Sequence, residues 1–533
     1  MFIDEPSLFR RDPTYDEVVA ANAEIARQEN TIAVLDNKIQ SYMSEIGRLR
    51  ATQRTHHEVI RRCKGVITLA RRIPQELLAK IFEHCVADGW TRAPIVVSHV
   101  CSAWRKAATT PRVWSHIYLD ADSTNALERL RFWLQRASHA PLLVDIVGLG
   151  HTLPTQLVNS ISLLSHHATQ VESLRIALDG LVNVSFAISQ FMHPMANLRE
   201  LSVRTTLHQE GDREDGFTLS EVFSQQLAPN LSEVRFSCNV LPHSLRLPPH
   251  ITTLSITVQE SPTNHPLSNL ALVELLEGVP EIERLIIQLP LVYEAQLVNE
   301  DSERTVDLSC LTSLAIYGPT DLNDLLMHIR ARNLRELHLR SLEDVSYRQE
   351  HIGPSLLRFL TKSQPSLEVL ELHDVDLSPR AFALCFSALP NLRTLRLHES
   401  SISDATLKLL AGRDAMCPKL TRLDLRWCSH LTGGALVDLV RYRTAVGDSN
   451  DMFVKGDVTV EPISEIGILN CCFVEEREVL QLAKMTTVRL LVREDDFCRS
   501  RQCCENTRYR LRLRLRHFST LSLEERKQYH LIV

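Results

Sequence analysis

The chain has 533 residues, 44% of them apolar and 23% charged, with a net charge of −6. A single compact core does not grow to that length, so several domains or a stack of repeats are required. The slight acidic excess argues against a dedicated nucleic-acid binder, which carries a basic surplus.

The N-terminus, MFIDEPSLFRRD, lacks the apolar stretch of a secretory signal. The apolar run at 141–149 is far shorter than the roughly 18–20 residues of a membrane span. The 13 cysteines are therefore expected as reduced thiols in cytoplasm or nucleus, many of them small core residues. In those compartments the sequons at Asn183 and Asn230 carry no meaning.

Residues 1–16 read as a flexible N-terminus and 17–64 as a coiled-coil helix. Val18, Ile25, Ile32, Ile39 and Ile46 recur every seven residues, and Leu35, Tyr42 and Leu49 follow three places behind a member of that series. β-Branched residues at the first seam position favour two-stranded parallel coils. No proline interrupts 14–73, and only Gly47 and Gly65 weaken it; Gln28 and Gln53 dilute the seam at its ends. Two readings stand: self-association through this seam, or a single helix packed on the next domain.

Next comes ITLARRIPQELLAKIFEHC, where Pro74 suits the first turn of a helix. Leu77, Leu78, Ile81, Phe82 and Cys85 then fall at helical spacing. IVVSHVCSAWRKAA offers Val97, Val100, Cys101 and Trp104, and TTPRVWSHIYL carries Trp114. Three short helices in about 50 residues form a marginal core, so part of this apolar surface should seek a partner. The run Ile73-Pro74-x-Glu76-Leu77, the Ile81-Phe82 pair, Val100-Cys101-x-x-Trp104-Arg105 and Pro111-x-x-Trp114 together resemble the F-box family over 68–118. The loop at 86–93, with Trp90, departs in a region of variable length. The resemblance implies a three-helix F-box that binds a Skp-type adaptor and, through it, a cullin, a RING subunit and a ubiquitin-conjugating enzyme. Ile73, Pro74, Glu76, Leu77, Ile81 and Phe82 would face the adaptor, and Val100, Cys101, Trp104 and Trp114 would join the core or its rim.

From there a short phrase returns: VESLRI (171–176), NLRELSV (197–203), NLSEVRF (230–236), HITTLSI (250–256), EIERLII (281–287), CLTSLAI (310–316), NLRELHL (333–339), SLEVLEL (366–372), NLRTLRL (391–397) and KLTRLDL (419–425). L-x-x-L-x-L is the leucine-rich-repeat signature, a strand whose alternate side chains face inward. SPRAFALCFSALP (378–390), with Ala381, Leu384, Cys385 and Ala388 inward, and SDATLKLLAGR (403–413), with Leu407, Leu409 and Leu410 and a cap at Ser403 or Asp404, read as intervening helices. The expected architecture over 119–493 is an α/β leucine-rich-repeat solenoid, a horseshoe, with EIGILN, EEREVLQLA and TTVRLLV closing it at 461–493. The acidic stretch HQEGDREDG (208–216) is expected as an exposed loop, and 494–533 as a tail or edge strand. Coil, F-box and repeats in this order resemble the large F-box families of mushroom-forming fungi.

Between the inward leucines, two columns are expected on the concave, solvent-facing side of the sheet. One is Tyr317, Arg340, His373, His398 and Arg426; its neighbour is Ala315, His338, Glu371, Arg396 and Asp424. Five rungs at roughly 4.8 Å span about 20 Å. The first column, with Arg396 and His338 beside it, would receive an acidic or phosphorylated target segment, since arginine meets carboxylate and phosphate bidentately. A generic solvated face is the plainer alternative. Trp427 and Cys428 would line the rim or pack against the next turn.

Enzymatic motifs are missing: there is no G-x-x-x-x-G-K-[ST], no G-x-G-x-x-G and no G-x-S-x-G, and HESSI (398–402) lacks the second histidine of a zinc protease. Cys471, Cys472, Cys498, Cys503 and Cys504 do not form two C-x₂₋₄-C hooks, so no metal and no cofactor is expected. RYRLRLRLRH (508–517) alternates arginine and leucine and reads as an edge strand or solvated tail before it reads as an RNA contact. The pairs His56-His57 and His166-His167 are read as incidental. The resemblance implies a non-catalytic substrate receptor of a ubiquitin ligase with an unknown target protein; a coiled-coil repeat scaffold and a nucleic-acid-associated repeat protein are the rivals.

Overall fold

The computed structural model describes residues 12–67, 73–121, 123, 125–148, 153–191, 193–206, 219, 223–239, 245–258, 269–289, 304–318, 325–341, 352–375, 377–411, 415–448, 460–490 and 515–532. The chain divides into two compact units: Met1–Cys85 with Ala93–Ala108, and Val86–Arg92 with Thr109–Val533. This division cuts the segment 68–118. The reason is visible at Trp114, which meets Phe132 and Trp133 of the second unit edge-to-face, with ring centroids 5.6 and 5.1 Å apart.

The first unit begins with α1 (Tyr15–Ile67), 53 residues without a break and so about 80 Å long. Its start is a reciprocal cap: Thr14 N–H donates to Glu17 Oε2 (2.8 Å) and Glu17 N–H to Thr14 Oγ1 (3.4 Å). Asp16 and Glu17 in the first turn and Lys64 in the last complement the helix dipole. Ion pairs one turn apart, Glu24–Arg27 (2.6 Å) and Glu45–Arg48 (2.7 Å), support its surface. None of the seam residues is buried: exposure runs from 42% at Val18 to 68% at Tyr42. Then come α2 (Gln75–Ala87), α3 (Ala93–Ser98) and α4 (Ser102–Ala107). Pro74 stands just before α2 and its carbonyl accepts the N–H of Leu78 at 3.0 Å.

The second unit opens with a 3₁₀ turn (Pro111–Trp114). Its strands are β1 (His116–Asp120), β2 (Leu142–Gly148), β3 (Val171–Asp179), β4 (Glu200–Thr206), β5 (Glu233–Cys238), β6 (Thr253–Val258), β7 (Arg284–Gln288), β8 (Val306–Asp307) and β9 (Ser313–Gly318). They continue as β10 (Ile329–Arg330), β11 (Glu336–Ser341), β12 (Val369–His373), β13 (Thr394–His398), β14 (Arg422–Arg426), β15 (Glu465–Leu469), β16 (Thr487–Arg489) and β17 (Leu531–Ile532). All but β8 and β10 form one 15-stranded parallel sheet in chain order; β8 and β10 pair separately. Helices α5 (Ala126–Ala137), α6 (Thr155–Ser165), α7 (Leu181–Ser189), α8 (Asn269–Glu277), α9 (Ile352–Ser363), α10 (Pro379–Ser387), α11 (Asp404–Lys408), α12 (Gly433–Asp448), α13 (Glu476–Ala483), α14 (Arg516–Thr520) and α15 (Leu523–Arg526) lie between or after them. From α9 to α13 each helix packs on the next. A helical N-terminal region followed by a parallel sheet with helices is consistent with an α/β solenoid.

Each of the ten recurring phrases supplies a strand of this sheet. Its leucines are the core: Leu337, Leu339, Leu370, Leu372, Leu395, Leu397, Leu423 and Leu425 are at most 1% exposed. Burying one such side chain stabilises by about 1.5–3 kcal/mol. In three of the phrases the asparagine before the first leucine ties consecutive repeats together, because its side chain reaches back to an earlier carbonyl. Asn197 donates to Thr169 O (2.7 Å), Asn230 to Ala196 O (2.6 Å) and Asn333 to Ser309 O (2.7 Å). After the strand, Asp374, Glu399, Trp427 and Asn470 take a positive φ of 51–59°. That left-handed residue turns the chain away while its N–H still extends the ladder, as from Asp374 to His398 O (2.9 Å).

Some elements differ from the sequence reading. β1 and β2 were not anticipated; the apolar run at 141–149 forms β2. In α10 the inward residues are Phe382, Cys385 and Phe386, whereas Leu384 is 42% exposed; two rings 5.5 Å apart occupy the face assigned to smaller residues. Ser378 caps α10 by accepting from Ala381 N–H (3.2 Å). Ser403 stands at the cap position of α11 without bonding its backbone, and Asp404 instead accepts from Thr432 N and Oγ1 at 2.7 and 2.9 Å. The stretch 208–216 lies outside the described residues, as does 508–514.

Candidate functional site

α2 carries two apolar stripes one residue apart. Leu78 (3%), Phe82 (1%) and Val86 (3%) recur every four residues and are buried; Phe82 meets Trp104 of α4 with ring centroids 5.1 Å apart. Leu77 (56%) and Ile81 (45%) form the parallel outer stripe, with half-buried Cys85 next in line. An ordinary surface helix has one apolar stripe, and a second one faces something else. Pro74 and Glu76 are exposed and Ile73 half-buried beside it. Val100 (56%), Ile95 (39%) and Val96 (45%) are further exposed apolar residues of this region, while Cys101 and Trp104 are half-buried. One adaptor-facing assignment is therefore corrected: Phe82 is a core residue; Trp114, expected at the core or its rim, is buried at 5% in the second unit. Phe82 shares an apolar arc with Leu77 and Ile81 in the sequence, and its packing on Trp104 sets it apart.

The α2–α4 scaffold is fastened by polar contacts that leave this stripe untouched. Gln75 Nε2 donates to Lys106 O (3.3 Å), and Arg105 Nε to Ser98 O (2.9 Å). Arg105, the partner of Trp104 in the motif, thus ties α4 to α3.

The two columns form as the phrase spacing requires. Tyr317, Arg340, His373, His398 and Arg426 are register partners across β9 and β11–β14, and Ala315, His338, Glu371, Arg396 and Asp424 stand beside them. They do not face solvent. Tyr317, His338, His373, His398 and Arg426 are at most 4% exposed, and Arg340 and Arg396 are half-buried. The cause is charge alternation along the second column. Glu371 Oε2 lies 2.9 Å from His338 Nδ1 and 3.3 Å from Arg396 Nη1, joining three strands. Arg426 donates through Nε and Nη2 to the two oxygens of Asp424 at 3.1 and 2.7 Å. His373 Nε2 lies 3.3 Å from Asp374 Oδ2, and its ring meets that of His398 at 4.8 Å. These acids hold His338, His373, Arg396 and Arg426, four of the bases expected to receive a target. At β15 the column reaches Gly467, where an added Cβ would lie 2.8 Å from Asp424 Oδ1.

The same face of β3–β5 is open. Arg175, Arg204 and Arg235 are exposed, with Arg235 Nη1 3.1 Å and Arg175 Nη2 3.7 Å from Glu200 Oε1. The phrases at 171–176 and 230–236 contain Arg175 and Arg235, and Arg204 follows the phrase at 197–203, but their irregular spacing hid the alignment.

Other candidates resolve into structure. Arg443 of α12 is wholly buried and donates to five backbone carbonyls: Leu410, Cys417, Pro418, Leu420 and Glu461. Burial lowers its pKa to about 10. Cys428 and Cys471 are buried thiols and Cys472 an exposed one; Cys498, Cys503 and Cys504 lie outside the described residues. Trp427 is the left-handed residue after β14. Burial pushes the Cys385 and Cys417 thiols up to about 12. Among the described residues no group of three or more His, Cys, Asp or Glu could hold a metal ion, and no helix is long and apolar enough to cross a membrane.

Residues 70–120 match the F-box-like family. No curated protein matches the chain. Among solved structures, a Bacteroides fragilis protein determined as a structural-genomics target aligns at 11% identity and a TM-score of 0.30, over 56% of this chain and 72% of its own. The yeast Rad7 and Elc1 complex aligns at 14% identity and a TM-score of 0.28, over 81% of this chain and 97% of that one. Scores this low carry no argument about the fold, which rests on the strand pairing above. The F-box-like match fits a ubiquitin-ligase substrate receptor at the level of the family.

Proposed function

We propose that the chain is a substrate-recognition subunit of a Skp–cullin–F-box ubiquitin ligase. The observation that carries this is the outer stripe of α2, Leu77 and Ile81, exposed within the segment that matches the F-box-like family. On this reading α2–α4 and the turn at Trp114 are a three-helix F-box. The exposed residues Pro74, Glu76, Leu77, Ile81 and Val100, with half-buried Ile73, meet a Skp-type adaptor, and the adaptor brings cullin and RING subunits. The sheet is a leucine-rich-repeat horseshoe that holds the target, in the coil–F-box–repeat order found in mushroom-forming fungi. The chain performs no bond chemistry; it works in cytoplasm or nucleus by raising the concentration of target near a conjugating enzyme. A target meets the open face around Arg175, Arg204 and Arg235 rather than the filled columns of β11–β14.

The test is co-purification of a Skp-type adaptor with the full-length chain, comparing wild type with Leu77→Asp/Ile81→Asp. The reading expects adaptor with wild type and none with the variant. No adaptor with folded wild-type protein would sink it.

A further inference from the structure

We propose that α1 joins two copies of this chain in a parallel, in-register, two-stranded coiled coil. The inference rests on α1 alone and does not depend on the ligase reading. α5 and α9 bury apolar stripes, with Leu130, Trp133 and Leu134 in the one and Leu356, Phe359 and Leu360 in the other. α1 buries none: Ile25, Ile32, Leu35, Ile39, Tyr42, Ile46 and Leu49 are 48–68% exposed. Among the described residues none covers this stripe, which leaves it open to a partner.

The spacing selects that occupant. A strict seven-residue repeat drifts about 20° per heptad around a straight helix. Only a partner helix of the same pitch, supercoiled with it, keeps such a seam covered over several heptads, and a second α1 has that pitch by construction. Isoleucine at successive first seam positions (Ile25, Ile32, Ile39, Ile46) with leucine at the second (Leu35, Leu49) favours two parallel strands. Flanking charge agrees at the end of the regular seam. In a parallel pair Glu45 of one copy flanks the seam opposite Arg50 of the other. Nearer the N-terminus Glu24 would face Glu29, where Ala21 and Gln28 also occupy the seam, so the coil is weaker there. A dimer presents two open sheet faces and binds a bivalent target more tightly than one copy does.

Cys63 makes the geometry testable. It falls at the second seam position, two heptads after Leu49, and is an exposed thiol. Parallel, in-register strands set the two Cys63 side chains against each other, and an antiparallel pair separates them by tens of ångströms. Full-length protein would be followed by sedimentation equilibrium and by non-reducing electrophoresis after mild oxidation. The expected result is twice the chain mass and a disulfide dimer that Cys63→Ser abolishes. Gln28→Cys in the Cys63→Ser background should restore the dimer from the other end of the seam. Ile39→Lys/Ile46→Lys should give monomer, whereas Val34→Lys, on the outer face at 54% exposure, should not. A wild-type monomer at micromolar concentration, a dimer that survives the double lysine variant, or a dimer that Cys63 does not cross-link would each overturn the proposal.

Discussion

One sheet face is kept in two states. Across β3–β5 the side chains between the inward leucines meet water, and Arg175 and Arg235, each about half exposed, share Glu200. Across β11–β14 the equivalent positions are buried or half-buried, and Glu371, 4% exposed, takes both His338 and Arg396. The phrase and the strand pairing are the same in both. What differs is whether acid and base alternate tightly enough to satisfy each other away from water. An exposed pair contributes about 0–1 kcal/mol. A buried one contributes little net, yet removing one partner costs about 3–5 kcal/mol because the other charge remains. The open half is thus free to bind, and the filled half is committed to structure.

The comparison can be broken by substitution. The largest effect should come from Arg443→Met, which leaves five buried carbonyls without their cation. A loss of about 4–5 kcal/mol is expected in denaturant unfolding. Glu371→Ala comes next, at about 3 kcal/mol. Its counterpart in the open half, Glu200→Ala, should cost under about 1 kcal/mol. Equal losses for these two glutamates would remove the distinction. Gly467→Ala should cost about 2 kcal/mol, because its methyl group displaces Asp424 from Arg426.

The smallest effect is a pH dependence at the start of the sheet. His116 is buried, which opposes its charge, but Asp145 Oδ2 at 2.7 Å and the Val86 carbonyl at 3.1 Å outweigh burial and raise its pKa. A raised folded pKa gives stability that is full below the unfolded value of about 6.5 and fades as pH climbs through the folded one. Unfolding free energy should therefore fall as pH rises above about 6.5 in wild type, and fall less in Asp145→Asn.

Much of the sheet was legible because a leucine phrase of fixed internal spacing admits one pairing register, which also fixed both columns. β1 and β2 were not, since HIYLD and LLVDIVG lack the leading leucine three places ahead. The burial of the columns was hidden for another reason. His338, Glu371 and Arg396 look like solvated residues within their own strands, and their complementarity exists only between residues 25 and 33 positions apart. At α2 the motif named Leu77, Ile81 and Phe82 together, and separating Phe82 from the other two needed the packing of Trp104.

The central claim is that α2 divides its apolar residues between its own core and an adaptor. Its most direct test pairs adaptor affinity by calorimetry with thermal unfolding for two variants of the full chain. Leu77→Ala/Ile81→Ala should weaken the adaptor at least about tenfold with an unchanged melting temperature, as exposed interface anchors do. Phe82→Ala should lower the melting temperature, as a buried aromatic does. An outer-stripe variant that binds as wild type does, or that loses binding only as it unfolds, would contradict the account.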